Sequence, residues 1–207
     1  MAATVQTNSD EGDLIARSRR GDLSAFNLLV ERHQTLLYNL CLRTLGSPQA
    51  AEDATQEAFI SAYRSLGRFR GGAFRAWLLR IAVNACYDEL RRRRARPALS
   101  LDRPAHGEQE QPPEPPSPAP TLQEHAERME LARAIQAALA RLPEDQRVAV
   151  VLCDVQGMDY AEIAEVMGVS LGTVKSRISR ARQRLRVLLV AQGELLPSRF
   201  RPTSEGT

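Results

Sequence analysis

The sequence predicts an all-α fold with two small helical domains joined by a proline-rich flexible linker, the second domain containing a helix-turn-helix. The chain of 207 residues is 43% hydrophobic but only 5% aromatic, and it is rich in Ala, Leu, Arg and Glu, which favour helices. Eight of the twelve prolines lie within residues 97–120, a stretch that cannot bury a core. Apolar residues recur at helical spacing on both sides of it. The predicted segments are a disordered N-terminus (1–12), a first domain (13–96), a linker (97–121), a second domain (122–191) and a disordered tail (192–207).

Four helices are predicted in the first domain from capping residues and apolar spacing. Asp13 and Gly21 bound the first helix, and Ser24 can cap the second. Ser47 can cap the third, with Pro48 at the first helical position, where a missing N–H costs nothing. The four helices are expected at about residues 14–20, 25–45, 48–66 and 76–94.

The second domain is predicted to contain four further helices. The first covers residues 122–141, and Pro143 begins another that reaches Val155 and ends at Gly157. The last two helices belong to the helix-turn-helix. Together the four make a plausible minimal bundle.

Residues 160–186 read YAEIAEVMGVSLGTVKSRISRARQRLR, which is the pattern of a helix-turn-helix. Asp159 and Glu162 have the spacing of a capping box. Gly168 is expected to end the first helix, and Ser170 to cap the second.

The second helix of this motif carries a basic face. No acidic residue lies between Glu165 and Glu194, so no carboxylate within the helix neutralises the charge. Its side chains suit phosphates and base edges, which predicts DNA binding; the alternative is an ordinary solvated face. The predicted donors are Lys175, Ser176, Ser179, Arg180 and Arg182.

A loop over residues 68–75 reads RFRGGAFR, with arginines interleaved with aromatic residues around two glycines. Cations for the backbone and flat rings for unstacked bases are typical of sites for single-stranded nucleic acid. The alternative is that Phe74 and Trp77 anchor the loop to the core, an interpretation we favour for Trp77. The pattern leaves both possibilities open for Phe69.

The third helix separates an apolar stripe from an acidic one. Glu52, Asp53, Gln56 and Glu57 lie together, with no basic residue before Arg64. An acidic face repels nucleic acid, so it should face a basic protein surface or solvent.

Other features exclude several classes of protein. The three cysteines are isolated, which favours core residues over a disulfide framework or zinc site, and His33 is interpreted as a packed residue. No apolar stretch is long enough for a membrane span, which predicts a cytoplasmic protein without membrane insertion. No nucleophile–base pair, metal cluster or GxxxxGK motif occurs, so neither an enzyme nor a bound metal or cofactor is expected.

The order of these motifs resembles that of the extracytoplasmic-function sigma factors of bacterial RNA polymerase. An acidic helix AEDATQEAFISAYRSL precedes RFRGGAFRAWLLRIAVNACYDELRRRR, and LPEDQRVAVVL precedes the helix-turn-helix. The resemblance covers all but the extreme termini and the linker. It implies sigma domain 2 at residues 13–96, sigma domain 4 at 122–191, and transcription initiation at a restricted, stress-responsive regulon.

The resemblance also implies partners and site residues. The partners would be core RNA polymerase, through the clamp helices of its largest subunit and the flap of the second large subunit, together with promoter DNA and an anti-sigma factor. The core-binding residues would be Glu52, Asp53, Gln56 and Glu57. The residues that open the minus-ten element and hold a flipped base would be Arg68, Phe69, Arg70, Gly71, Gly72, Phe74, Arg75, Ile81 and Asn84. The residues for the minus-thirty-five element would be Thr173, Lys175, Ser176, Arg177, Ser179, Arg180 and Arg182.

Three other classes of protein fit part of the pattern. A dimeric operator-binding regulator would use the helix-turn-helix but leave the acidic helix and the arginine–aromatic loop without a role. An adaptor that binds polymerase without promoters would not need the basic helix. A nucleic-acid enzyme would need a metal-ligand set that the sequence lacks.

Overall fold

The computed structural model describes residues 2–95 and 122–191, with side chains described over 10–95 and 125–191. Every regular element in these ranges is helical, which confirms the predicted all-α fold. The helices form two compact units, one in each range. The predicted linker (97–121) and tail (192–207) lie outside the described residues. None of the helices in the described part is both long and apolar enough to cross a membrane.

The N-terminal unit contains four α-helices and a short 3₁₀ turn. These elements are α1 (Ala2–Arg19), α2 (Leu23–Leu45), α3 (Pro48–Ser65), the turn Leu66–Arg68 and α4 (Phe74–Ala95).

Helix α1 begins at Ala2, not after Asp13 as predicted, so it extends through the segment predicted to be disordered. Contacts with α2 stabilise the part of this extension at Asp10 and Glu11. Asp10 pairs with Arg32, and a carboxylate oxygen of Glu11 lies 2.8 Å from Nε2 of His33. These partners are 22 residues away along the chain, so helix propensity alone does not include them.

Asp22, rather than the predicted Ser24, caps helix α2. Its carboxylate accepts a hydrogen bond of 3.1 Å from the N–H of Ala25. Arg17 donates to the same carboxylate from Nε and Nη2 at 3.0 and 2.8 Å. The Ala25 N–H and the Arg17 guanidinium together lower the pKa of Asp22. Two good capping residues lie close together in sequence, and the bond from Arg17 favours Asp22.

Helix α3 packs against α2 and α4 through small side chains. Ser47 caps it and Pro48 is its first residue, as predicted. The small residues on its buried face allow neighbouring helices to approach closely, and each is at most 2% exposed. These residues are Ala51, Ala54, Ala58 and Ala62. Fully buried leucines of α2 and α4 complete the core, among them Leu37, Leu40, Leu78 and Leu79.

The C-terminal unit contains α5 (Leu122–Ala140), α6 (Glu144–Val150), a π-helical turn (Val151–Val155), α7 (Tyr160–Met167) and α8 (Leu171–Ala191). The helix predicted from Pro143 to Val155 therefore changes geometry after Val150. In the π-helical turn the N–H of Gln156 donates to the carbonyl of Val151 at 3.0 Å. The core of this unit joins α6, α7 and α8 through Val148, Ile163, Val174 and Ile178, each at most 1% exposed.

Candidate functional site

The helix-turn-helix has the caps that the sequence predicts. Asp159 accepts from the N–H of Glu162 at 2.8 Å, and the Glu162 carboxylate accepts from the N–H of Asp159 at 3.0 Å. Gly168 ends α7 in the left-handed conformation, with φ of 65°, which glycine adopts without strain. Ser170 Oγ accepts from the N–H of Thr173 at 3.2 Å and caps α8. The capping box fixes where α7 begins, and the Ser170 cap fixes where α8 begins.

Helix α8 has one buried face and one exposed face. Val174, Ile178 and Ala181 are buried in the unit. Lys175, Ser179 and Arg180 are exposed, and Thr173 and Ser176 are half-buried. Within the described ranges, neither Lys175 nor Arg180 has a hydrogen-bond or ion-pair partner. These two cations remain available to an anionic ligand.

Other basic residues of α8 contact α6 and the π-helical turn. Arg177 pairs with Asp145 at 2.9 Å, and Arg184 Nη1 donates to the side-chain oxygen of Gln146 at 3.1 Å. Arg182 pairs with Asp154. Sequence reasoning missed these partners because it considered only neutralisation within the helix, whereas the acceptors, two carboxylates and an amide, belong to residues 28 or more positions earlier.

The loop before α4 is built on an aromatic cluster. Phe69 and Phe74 are 7% and 2% exposed, and the ring centroids of Phe69 and Trp77 lie 5.2 Å apart. The alternative in which aromatic rings anchor this loop to the core therefore holds for Phe69 and Phe74, while Trp77 is half-buried. Since Phe69 and Phe74 are buried, neither presents a ring face for base stacking in this conformation.

The exposed part of the same loop is polar. Gly71 and Gly72 have φ of 93° and 92°, which residues with a Cβ rarely adopt. Arg68, Arg70 and both glycines are exposed, as is Asn84 on α4, while Ile81 and Arg75 are half-buried. The predicted minus-ten residues thus divide into an exposed set and the buried Phe69 and Phe74.

His33 was predicted to be a packed residue, and it is buried. It also has two partners that the sequence did not indicate: Glu11 at 2.8 Å, and the ring of Phe74, with centroids 5.6 Å apart. His33 therefore links helix α1 to the aromatic cluster beneath the loop.

The acidic residues of α3 form an exposed face, as predicted. Glu52, Asp53, Gln56 and Glu57 are all exposed, and none of the three carboxylates pairs with a base in the described part of the chain. Beside them is an apolar groove that includes Phe59, Ile60 and Tyr63, with Ile60 45% exposed. The sequence did not indicate this groove.

Comparison with known proteins identifies the family. Residues 29–96 match Sigma-70 region 2, and residues 132–185 match Sigma-70, region 4. The ECF RNA polymerase sigma factor SigM of Mycobacterium tuberculosis is 42% identical over 180 residues, 86% of this chain and 84% of SigM. The solved structure of CnrH in complex with the cytosolic domain of CnrY has a TM-score of 0.63 at 31% identity, covering 88% of this chain and 98% of CnrH. The sigma factor RpoE of Bartonella quintana, solved with the anti-sigma factor NepR, has a TM-score of 0.56 at 26% identity, covering 79% of this chain and 96% of RpoE.

The chain belongs to the extracytoplasmic-function (ECF) RNA polymerase sigma factors. This assignment confirms the resemblance drawn from the sequence, and an operator-binding regulator unrelated to polymerase is not favoured.

Proposed function

We propose that this sigma factor holds core RNA polymerase and two promoter elements through three separate surfaces. Residues 13–96 act as sigma domain 2, residues 122–191 as sigma domain 4, and residues 97–121 as the tether between them. The observation that carries the proposal is that unpaired acidic and unpaired basic faces lie on different units. The protein acts in the cytoplasm by binding alone, with no catalytic chemistry of its own.

The acidic face of α3 is proposed to dock on the clamp helices of the largest polymerase subunit. None of its carboxylates is in an ion pair within the described residues, although Glu57 accepts a hydrogen bond of 3.4 Å from Ser61 Oγ. A basic surface can therefore pair with them without breaking existing ion pairs. The groove beside Ile60 and Tyr63 adds apolar area next to the charges, which is the composition of a protein interface with a polar rim. In domain 4, we propose a second contact with the flap of the other large subunit.

The loop before α4 is proposed to open the minus-ten element and hold a flipped base. Arg68 and Arg70 contact backbone phosphates, and nucleic acid can approach Gly71 and Gly72 closely, because nothing lies within 4 Å of where a Cβ would stand on either residue. Ile81, Asn84 and Arg75 line the same site. Phe69 and Phe74 act from beneath, because they hold the loop in place. Flipping a base costs a few kcal/mol, which these contacts offset.

Helix α8 is proposed to read the minus-thirty-five element in the major groove. Lys175 and Arg180 provide free cations, and the hydroxyl of Ser179 provides a further donor. The hydroxyls of Ser176 and Thr173 are hydrogen-bonded to the Thr173 carbonyl and to Ser170 Oγ, and can accept from base edges. An anti-sigma factor is the remaining proposed partner, because CnrH and the Bartonella RpoE were each solved in complex with another protein.

A direct test combines charge reversal on α3 with a binding assay against bacterial core RNA polymerase. Replacing Asp53 and Glu57 by Lys should weaken binding to core about tenfold or more, because like charges would meet across the interface. Glu31→Lys is the matched control, since Glu31 is exposed on α2 and unpaired. Equal losses for both variants would contradict docking through α3, and wild-type protein that does not bind core would contradict the whole proposal.

A further inference from the structure

Three basic residues of α8 contact acceptors in the helix and π-helical turn before the helix-turn-helix. Arg177 contacts Asp145, Arg182 contacts Asp154, and Arg184 contacts Gln146. Arg182 has the most complete set of bonds, which it makes to Asp154 and Cys153.

The contact between Arg182 and Asp154 is bidentate. Nε of Arg182 donates to Oδ2 of Asp154 at 3.2 Å, and Nη2 donates to Oδ1. Nη2 also lies 3.6 Å from Sγ of Cys153. Two parallel bonds to both carboxylate oxygens are the strong form of an arginine–carboxylate pair. The pair lowers the pKa of Asp154 and raises that of Arg182.

Both Asp154 and Cys153 lie in the π-helical turn Val151–Val155. A π-helical turn departs from α-helical spacing, and such turns are rare in proteins and frequent at functional sites. Here the turn occurs where the chain faces α8. The Asp154 carboxylate and the Cys153 thiol both contact the guanidinium of Arg182.

We propose that Asp154 sets the strength and the salt dependence of DNA binding, because it keeps Arg182 from binding DNA phosphates. This inference rests on the proposed binding of promoter DNA by α8. With Arg182 held by Asp154, the exposed and unpaired cations of α8 in the described part of the chain are Lys175, Arg180 and Arg186. The Asp154 carboxylate therefore limits contacts that carry no sequence information.

The physical reason is that phosphate contacts strengthen binding to every sequence equally. Each phosphate contact adds about 0.9 to the slope of log affinity against log salt, and this term supplies non-specific binding. One contact fewer lowers the affinity for promoter and non-promoter DNA by the same factor, and contacts to base edges are unchanged. The overall affinity and its salt dependence therefore decrease, while the ratio of the two affinities stays the same.

The test measures salt-dependent binding of holoenzyme, reconstituted with core polymerase, to promoter duplex and to shuffled duplex. Asp154→Asn releases Arg182, so the salt slope should steepen by about 0.9, and a fourfold increase in salt should weaken this variant about 3.5-fold more than wild type. The promoter-to-shuffled ratio should stay at the wild-type value, because the released arginine strengthens binding to both duplexes. Glu165→Gln is the matched control: it removes an exposed, unpaired carboxylate from α7 of the same unit and should leave the slope unchanged.

Two further variants complete the test. Arg182→Gln alone should retain the wild-type slope, and adding it to Asp154→Asn should restore that slope. The inference would be overturned if the salt slope of Asp154→Asn equalled that of wild type. A salt slope in Arg182→Gln smaller than that of wild type by about 0.9 would also overturn it. If Asp154→Asn fails to fold, the salt slope of Arg182→Gln alone still tests the inference. Wild-type holoenzyme without promoter preference would overturn the proposed function and this inference together.

Discussion

Phe74 lies edge-on against Phe69, with ring centroids 5.5 Å apart and ring planes inclined at 79°. Edge-to-face geometry is the favoured arrangement of two aromatic rings. Because Phe74 begins α4 and Phe69 follows the 3₁₀ turn, the pair joins the two ends of the glycine loop. The loop that we propose to bind the minus-ten element is therefore positioned by the core of the N-terminal unit.

Phe74→Ala should lower the free energy of unfolding of this unit by about 3–5 kcal/mol, the usual cost of truncating a buried phenylalanine. Trp77 is the single tryptophan of the chain, so its fluorescence during urea unfolding reports on this unit alone. Arg70→Ala, at an exposed position, is the control and should leave the midpoint unchanged. A midpoint in Phe74→Ala equal to that of wild type would contradict the supporting role.

Asp159→Ala should destabilise the C-terminal unit by about 0.5–2 kcal/mol, because it removes the acceptor for the N–H groups of Ala161 and Glu162. Thermal unfolding followed by far-ultraviolet circular dichroism measures the loss. Asp159→Asn should remain within a few tenths of a kcal/mol of wild type, since asparagine caps about as well. If both variants lost the same amount, charge rather than capping would be responsible.

The stability of the C-terminal unit should depend on pH through Asp154. The hydrogen bond from Arg182 lowers the pKa of Asp154 in the folded protein below the value of 3.8 expected when unfolded. The pair therefore stabilises the fold fully above about pH 3.8, and the stabilisation is lost as the pH falls through the lowered pKa. Urea unfolding between pH 2 and 6 should show this loss in wild type and a smaller one in Asp154→Asn. Identical pH profiles for wild type and Asp154→Asn would contradict the stabilising role of this pair.

The three cysteines should differ in reactivity. Cys41 and Cys86 are fully buried, with their Sγ atoms 3.6 Å apart, whereas Cys153 is partly exposed. A thiol reagent should therefore label Cys153 first, although slowly, because burial and Asp154 raise the pKa of its thiol. Cys153→Ser should abolish labelling of the native protein. Rapid labelling of that variant would show that the N-terminal core opens readily.

The local features of this fold were predictable from sequence because each depends on neighbouring residues. The capping box at Asp159 and Glu162, the left-handed Gly168 and the cap at Ser47 all satisfy backbone groups within four residues. The acidic face of α3 followed from helical spacing alone.

The features that sequence did not reveal depend on contacts between distant residues. Asp154 reaches Arg182 only because the π-helical turn and α8 pack together, and no periodicity encodes that contact. The burial of Phe69, which the sequence left open, is decided by Phe74 and Trp77. Helix α1 reaches further than its propensity suggests because Asp10 and Glu11 have partners on α2.

The central claim is that this chain directs core RNA polymerase to promoters. The most direct measurement is transcription in vitro by bacterial core polymerase, with and without the purified chain, on a library of genomic fragments from the source organism. The account predicts transcripts that depend on the chain and whose start sites share a minus-ten and a minus-thirty-five element. Transcripts no more abundant or selective than those of core polymerase alone would contradict it.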